Sequence, residues 1–112
     1  MNRGVVVSNA GPLIYLSVVK QFSLLTQFFS TVFIPEALYQ EVVVQGHGQP
    51  GADETEAAIA AGWLRRSSVK DRIAVDALLD ELHAGEAEAI VLARELVIGR
   101  ILLDDRAARG KA

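Results

Sequence analysis

The feature that most restricts this chain is a set of three short, unbroken apolar runs, each followed closely by residues that stop a strand. Val5-Val6-Val7 gives way to Gly11-Pro12, Thr31-Val32-Phe33-Ile34 stops at Pro35, and Ile101-Leu102-Leu103 stops at Asp104-Asp105. Runs without polar alternation suit strands buried on both faces, the situation in a parallel sheet. The prolines open helices. Pro12 falls in a first turn, where its missing N–H is harmless, and Leu13, Ile14, Leu16 and Val19 then form one apolar stripe. Pro35 starts a second helix over Glu36 to Val43 or Val44.

Between these anchors the pattern continues. Phe22, Leu24, Leu25, Phe28 and Phe29 predict a further short helix, and residues 46–51 are a loop by composition. Residues 52–61, rich in Ala and Glu, predict a helix that Gly62 ends. Trp63 to Val69 carries a weak strand pattern, Ile73 to Leu82 has helical spacing, and Glu86 opens a strong helix through Ala87, Ile90, Val91, Arg94 and Leu96. Strands alternating with helices predict an α/β domain spanning residues 1–112, with a central parallel sheet flanked by helices.

Composition narrows the function. Of 112 residues, 51% are hydrophobic and 22% charged, which argues against wholesale disorder. Without cysteine there is neither a disulfide nor a thiolate metal site. The net charge of −3 gives no global attraction for nucleic acid, so any such contact must be local. Arg65 and Arg66 read as solvated surface charge. No apolar stretch has the length of a membrane span, and Ser8 to Pro12 breaks the opening run too early for a signal peptide. The chain is therefore read as cytoplasmic.

In an open parallel sheet, ligands bind beyond the carboxyl ends of the strands. Asn9 follows the first strand, where one further acid would be expected. Asp104 and Asp105 follow the last, Glu86 lies in the first turn of the preceding helix, and Glu41 lies about two turns into the helix after Pro35. Each acid has a plainer reading. Glu86 and Glu88 suit a helix N-terminus through the macrodipole alone, and Glu41 reads by itself as a solvated side chain. His47 and His83 read as loop residues. The set says more than its members, because clustered carboxylates repel unless a cation neutralises them. A hard divalent ion, Mg²⁺ or Mn²⁺, is the usual partner of such oxygens, and it supplies the chemistry of phosphodiester hydrolysis by activating water and steadying the leaving oxygen.

Four segments in order resemble a known family. Val6-Val7-Ser8-Asn9-Ala10-Gly11-Pro12-Leu13-Ile14 looks like the opening of a PIN domain, the fold of many ribonuclease toxins. Ile34-Pro35-Glu36-Ala37-Leu38-Tyr39-Gln40-Glu41-Val42 resembles its second block. Leu82-His83-Ala84-Gly85-Glu86-Ala87-Glu88-Ala89-Ile90 resembles the third, and Leu102-Leu103-Asp104-Asp105-Arg106 the fourth. The Gly-Glu-Ala-Glu-Ala and Asp-Asp-Arg signatures are similar to a PIN subgroup related to VapC-type toxins. The resemblance implies a three-layer PIN-like fold and a metal-dependent endoribonuclease, the toxin of a toxin–antitoxin pair, acting on RNA and held by an antitoxin protein. It implies Mg²⁺ or Mn²⁺ held by Asn9, Glu41, Glu86 and Asp105, with Asp104 assisting. Glu41, Glu86 and Asp105 would be catalytic, and Ser8, Arg106 and Arg109 would meet the substrate.

Two departures shape the expectation. Asn9 replaces the usual Asp, and losing a full charge about 4 Å from a cation is worth on the order of 4 kcal/mol at an effective dielectric of about 20. Mg²⁺ needs only one or two direct carboxylates, so binding is expected to survive better than catalysis. The chain also ends soon after Asp105, whereas the family continues through another helix and strand. The fold is expected to lack both, leaving a strand edge open to pairing in a homodimer or higher oligomer. A degenerate PIN-like domain that binds RNA or a protein without cutting is the alternative. A phosphoacceptor or nucleotide-binding domain is disfavoured, since there is no Gly-x-Gly-x-x-Gly or Gly-Lys-Ser/Thr loop.

Overall fold

The computed structural model describes residues 4–103. Four strands, β1 (Gly4–Ser8), β2 (Phe29–Pro35), β3 (Leu64–Ser67) and β4 (Ile101–Leu102), form one sheet in the order β3-β2-β1-β4. All three pairings are parallel, with Val6 opposite Val32, Val7 opposite both Phe33 and Ile101, and Ile34 opposite Arg66. The unbroken valine run is thus a strand with neighbours on both sides.

Side chains alternate across that strand and seed a core on each face. Val6 joins Val32, Ile34 and Leu64 beneath α1 (Ala10–Val18), α2 (Leu24–Phe28), α3 (Glu36–Tyr39) and α4 (Ala52–Ala61), whose Leu13, Leu25, Leu38 and Ala58 complete the cluster. Val7 points the other way, against α5 (Arg72–Leu78) and α6 (Ala84–Glu95), through Val75, Ala87, Val91 and Leu92. Both valines are fully buried. This is the expected three-layer arrangement, a parallel sheet between two sets of helices.

Local chemistry sets the boundaries. Pro35 ends β2 and sits at the N-cap of α3, as its ring and missing N–H favour. The helix expected to run on past Val43 does so, but from Gln40 to Gln45 it widens into a π-helix, a form that apolar periodicity does not distinguish from α. Gly62 stops α4 with φ 94, a left-handed conformation that suits glycine. The helix expected to reach Leu82 ends instead at Leu78, and turns follow. The weak strand signal after Trp63 is realised as β3, an edge strand whose Arg65 and Arg66 are exposed.

The C-terminus of α6 closes in a Schellman arrangement. Ile98 N–H donates to the Ala93 carbonyl (2.8 Å) and Val97 N–H to the Arg94 carbonyl (3.2 Å). The left-handed position falls on Val97, with φ 56, a strained choice for a β-branched residue. Its side chain is 89% exposed, so packing gives little in return. Val97→Gly is expected to stabilise the fold by about 1 kcal/mol. By calorimetry the melting temperature should rise by about 5 °C, and a fall would show that Val97 is not strained.

Candidate functional site

The strand order reverses beside β1: β2 and β3 lie on one side and β4 on the other. Ligands of open α/β sheets bind at such a switch point, beyond the strand carboxyl ends. Here the crevice lies where Ser8 leads into Asn9 and Leu102 leads into Leu103. Asn9 N–H donates to the Leu102 carbonyl at 2.8 Å, which extends the β1–β4 ladder by one bond and fixes the backbone at the mouth.

Asn9 is the N-cap of α1. Its extended backbone turns the chain out of the sheet, and its Oδ1 accepts from Ala10 N–H at 2.8 Å. The side chain is 6% exposed, so the amide oxygen is held rigidly, with a second lone pair left. Glu41 arrives from the π segment that continues α3. Its carboxylate is exposed and has no hydrogen-bond or ion-pair partner among the described residues.

Asn9 and Glu41 meet over Gly85, in the first turn of α6. A Cβ on Gly85 would lie 3.2 Å from Glu41 Oε1, 3.8 Å from Asn9 Oδ1 and 4.0 Å from Leu38 Cα. A methyl here would make ordinary contact with the α3 backbone but would press on the Glu41 carboxylate, which would have to give by a few tenths of an ångström. Glu86, the next residue, is half-buried, and its Oε1 accepts from His83 N–H at 3.4 Å, the reach-back bond of a capping box. The helix-terminal reading of Glu86 and its place at the site are thus compatible.

Asn9, Glu41, His83 and Glu86 line the polar end of a groove of about 1370 Å³, whose other walls include Ile14, Tyr15, Phe28 and Leu102. No Lys or Arg lines it among the described residues. Sequence reasoning set His83 aside as a loop residue; its position as the N-cap of α6 brings it to the groove.

Other expected residues fall differently. Ser8 has no exposed surface, and its hydroxyl donates to the Asn9 carbonyl at 2.8 Å, which steadies the strand end. Asp104, Asp105, Arg106 and Arg109 lie outside the described residues. Arg66 is held in a bidentate pair with Glu36 (2.9 and 2.8 Å) and lies 3.6 Å over the Tyr39 ring. The Glu36 hydrogen bond raises the guanidinium above its ordinary pKa, in line with the surface reading.

Glu88 is buried on α6. Its Oε1 accepts from Ala37 N–H at 3.0 Å and its Oε2 from Arg72 Nη1 at 2.7 Å. The sequence reading, a carboxylate favoured by its own helix terminus, misses that it caps the start of α3 from across the domain.

The groove offers the oxygens of one amide and two carboxylates, with the His83 imidazole beside them and no Lys or Arg among the described residues. Oxygen donors of this kind suit a hard divalent ion. Among the described residues, no three His, Cys, Asp or Glu side chains form a group that could hold a metal by themselves.

An α/β domain with a parallel sheet between helices and a polar groove at its switch point defines the class of fold. More specifically, a sequence model described as PIN domain matches residues 5–112, and the chain belongs to the PIN domain family, a nuclease-type fold whose members are generally dependent on divalent metal. Searches of curated proteins and of solved structures gave no match. No helix among the described residues is long and apolar enough to cross a membrane.

Gly85→Ala is expected to remain folded, with a melting temperature within about 3 °C of wild type, since alanine favours the helix. It should nevertheless weaken Mn²⁺ binding in calorimetric titration several-fold by crowding Glu41. Unchanged binding would show that the close approach at Gly85 does not shape the site.

Proposed function

We propose that this chain is a divalent-metal-dependent endoribonuclease of the PIN type. The observation that carries the reading is the convergence of Asn9 Oδ1 and Glu41 Oε1 over Gly85 at the switch point of a PIN domain. In this reading Asn9, Glu41, Glu86 and Asp105 hold Mg²⁺ or Mn²⁺, with Asp104 assisting. The ion, when bound, supplies the positive charge for activating water and stabilising a phosphodiester leaving group.

The residues themselves divide the remaining work. Glu41 has no hydrogen-bond or ion-pair partner among the described residues, which leaves its carboxylate available there to ligate or to accept a proton from water. Glu86 is steadied through His83 N–H and presents its carboxylate to the same groove. Asn9 contributes an oriented dipole without charge. Arg106 and Arg109 would meet the phosphates that an acidic groove alone repels. The toxin role, an antitoxin partner, a cytoplasmic setting and self-association belong to the same reading. The resemblance to VapC-type relatives supports the first two. Self-association is supported by the edge position of β4 and by the exposed Tyr15 and Phe28 beside the groove.

One observation favours a second reading, a PIN-like binder without catalysis. Asn9 is uncharged, and one of its lone pairs is already committed to Ala10 N–H. An RNA cleavage assay with added Mn²⁺ separates the two. Wild type is expected to cut, Asp105→Asn to lose at least about a hundredfold in rate, and Asn9→Asp to bind Mn²⁺ about tenfold more tightly, a gain of about 1.4 kcal/mol. Cleavage by Asn9→Asp alone would establish the binder. If no variant cuts and Mn²⁺ leaves every melting temperature unchanged, there is no metal site.

A further inference from the structure

We infer that Glu88 is the positioning residue of this site: its buried carboxylate locks the helix bearing Glu41 onto the helix bearing Glu86. The inference rests on the metal-site reading above and adds a residue outside both the expected ligand set and the groove lining.

The need for such a lock arises at Pro35. As the N-cap of α3 it has no side chain able to satisfy the first N–H groups of that helix, and none of them is capped locally. Ala37 N–H is one of these orphan donors, and its acceptor is Glu88 Oε1, 51 residues away in sequence. The carboxylate also meets the positive end of the α3 dipole. Its second oxygen takes Arg72 from α5, so three helices converge on one side chain that is 6% exposed.

The spacing ties this lock to the site. Gly85 and Glu88 are three residues apart on α6 and share a face. That face meets α3, with Gly85 against Leu38 and Glu88 against Ala37. Glu41 lies one turn beyond Ala37, and its Oε1 is the atom nearest to a Cβ on Gly85. Gly85 thus leaves room for the Glu41 carboxylate, and Glu88 sets where along α3 the two helices engage. A slip at Ala37 would carry Glu41 away from Asn9. Arg72 is the outer member of the arrangement, with its side chain 56% exposed, and its loss leaves the Ala37 bond intact.

The test uses the full chain and free Mn²⁺, without RNA, at a temperature where circular dichroism shows each variant folded. Glu88→Ala is expected to weaken Mn²⁺ binding at least tenfold. Glu88→Gln keeps an oxygen for Ala37 N–H and should stay within threefold of wild type, as should Arg72→Ala. Amide hydrogen exchange gives a readout independent of the metal: residues 37–45 should exchange at least tenfold faster in Glu88→Ala but not in Glu88→Gln.

A folded Glu88→Ala with wild-type Mn²⁺ affinity and exchange would overturn the inference. If Glu88→Ala does not fold, Glu88→Gln decides: retained affinity supports positioning, and a tenfold loss overturns it by making the charge itself the functional quantity. If wild type binds no Mn²⁺, the metal-site reading fails, and the exchange pattern alone then judges whether Glu88 holds α3 in place.

Discussion

Pairing of β1 with β4 creates the crevice that holds the candidate site. Val7 N–H reaches the Arg100 carbonyl (3.2 Å) and Asn9 N–H reaches that of Leu102 (2.8 Å), so β4 lies on the side of β1 away from β2. A sheet growing in one direction only would have no reversal, and the helices leaving its strand ends would offer no crevice between them. β4 is only two residues long. Its small contact places Leu102 beside Asn9, with Leu103 at the groove.

The sheet was legible in the sequence for a simple reason. Strands buried on both faces cannot alternate, so Val5 to Val7 and Thr31 to Ile34 stand out, and Pro35 marks a boundary that no helix or central strand crosses. β3 was nearly invisible because an edge strand needs little apolar surface, and Arg65 and Arg66 mask the signal. Asn9, Glu41 and Glu86 were legible through their places after strands and at a helix start. The roles of Gly85 and Glu88 were not, because each depends on the meeting of α3 and α6, which no local pattern encodes. The full burial of Ser8 was not legible either, since its neighbour Asn9 already belongs to the helix cap.

Charge is distributed to match. Several acids away from the groove have partners: Glu36 with Arg66, Glu88 with Arg72 and Ala37 N–H, and Glu95 with the N–H groups of Lys70 and Asp71. The exposed Glu36–Arg66 pair adds little stability by itself. Glu41 faces the groove without a counterion among the described residues.

The β1–β4 pairing also has a consequence in time. Val7 lies against Ile101, so the contact that forms the crevice joins opposite ends of the described chain. Contacts so distant in sequence carry the largest loop-closure entropy and tend to form late. On the ribosome, β1, β2 and β3 can associate while β4 is still inside the exit tunnel, and the wall of the crevice that Leu102 supplies beside Asn9 is added only after they have paired.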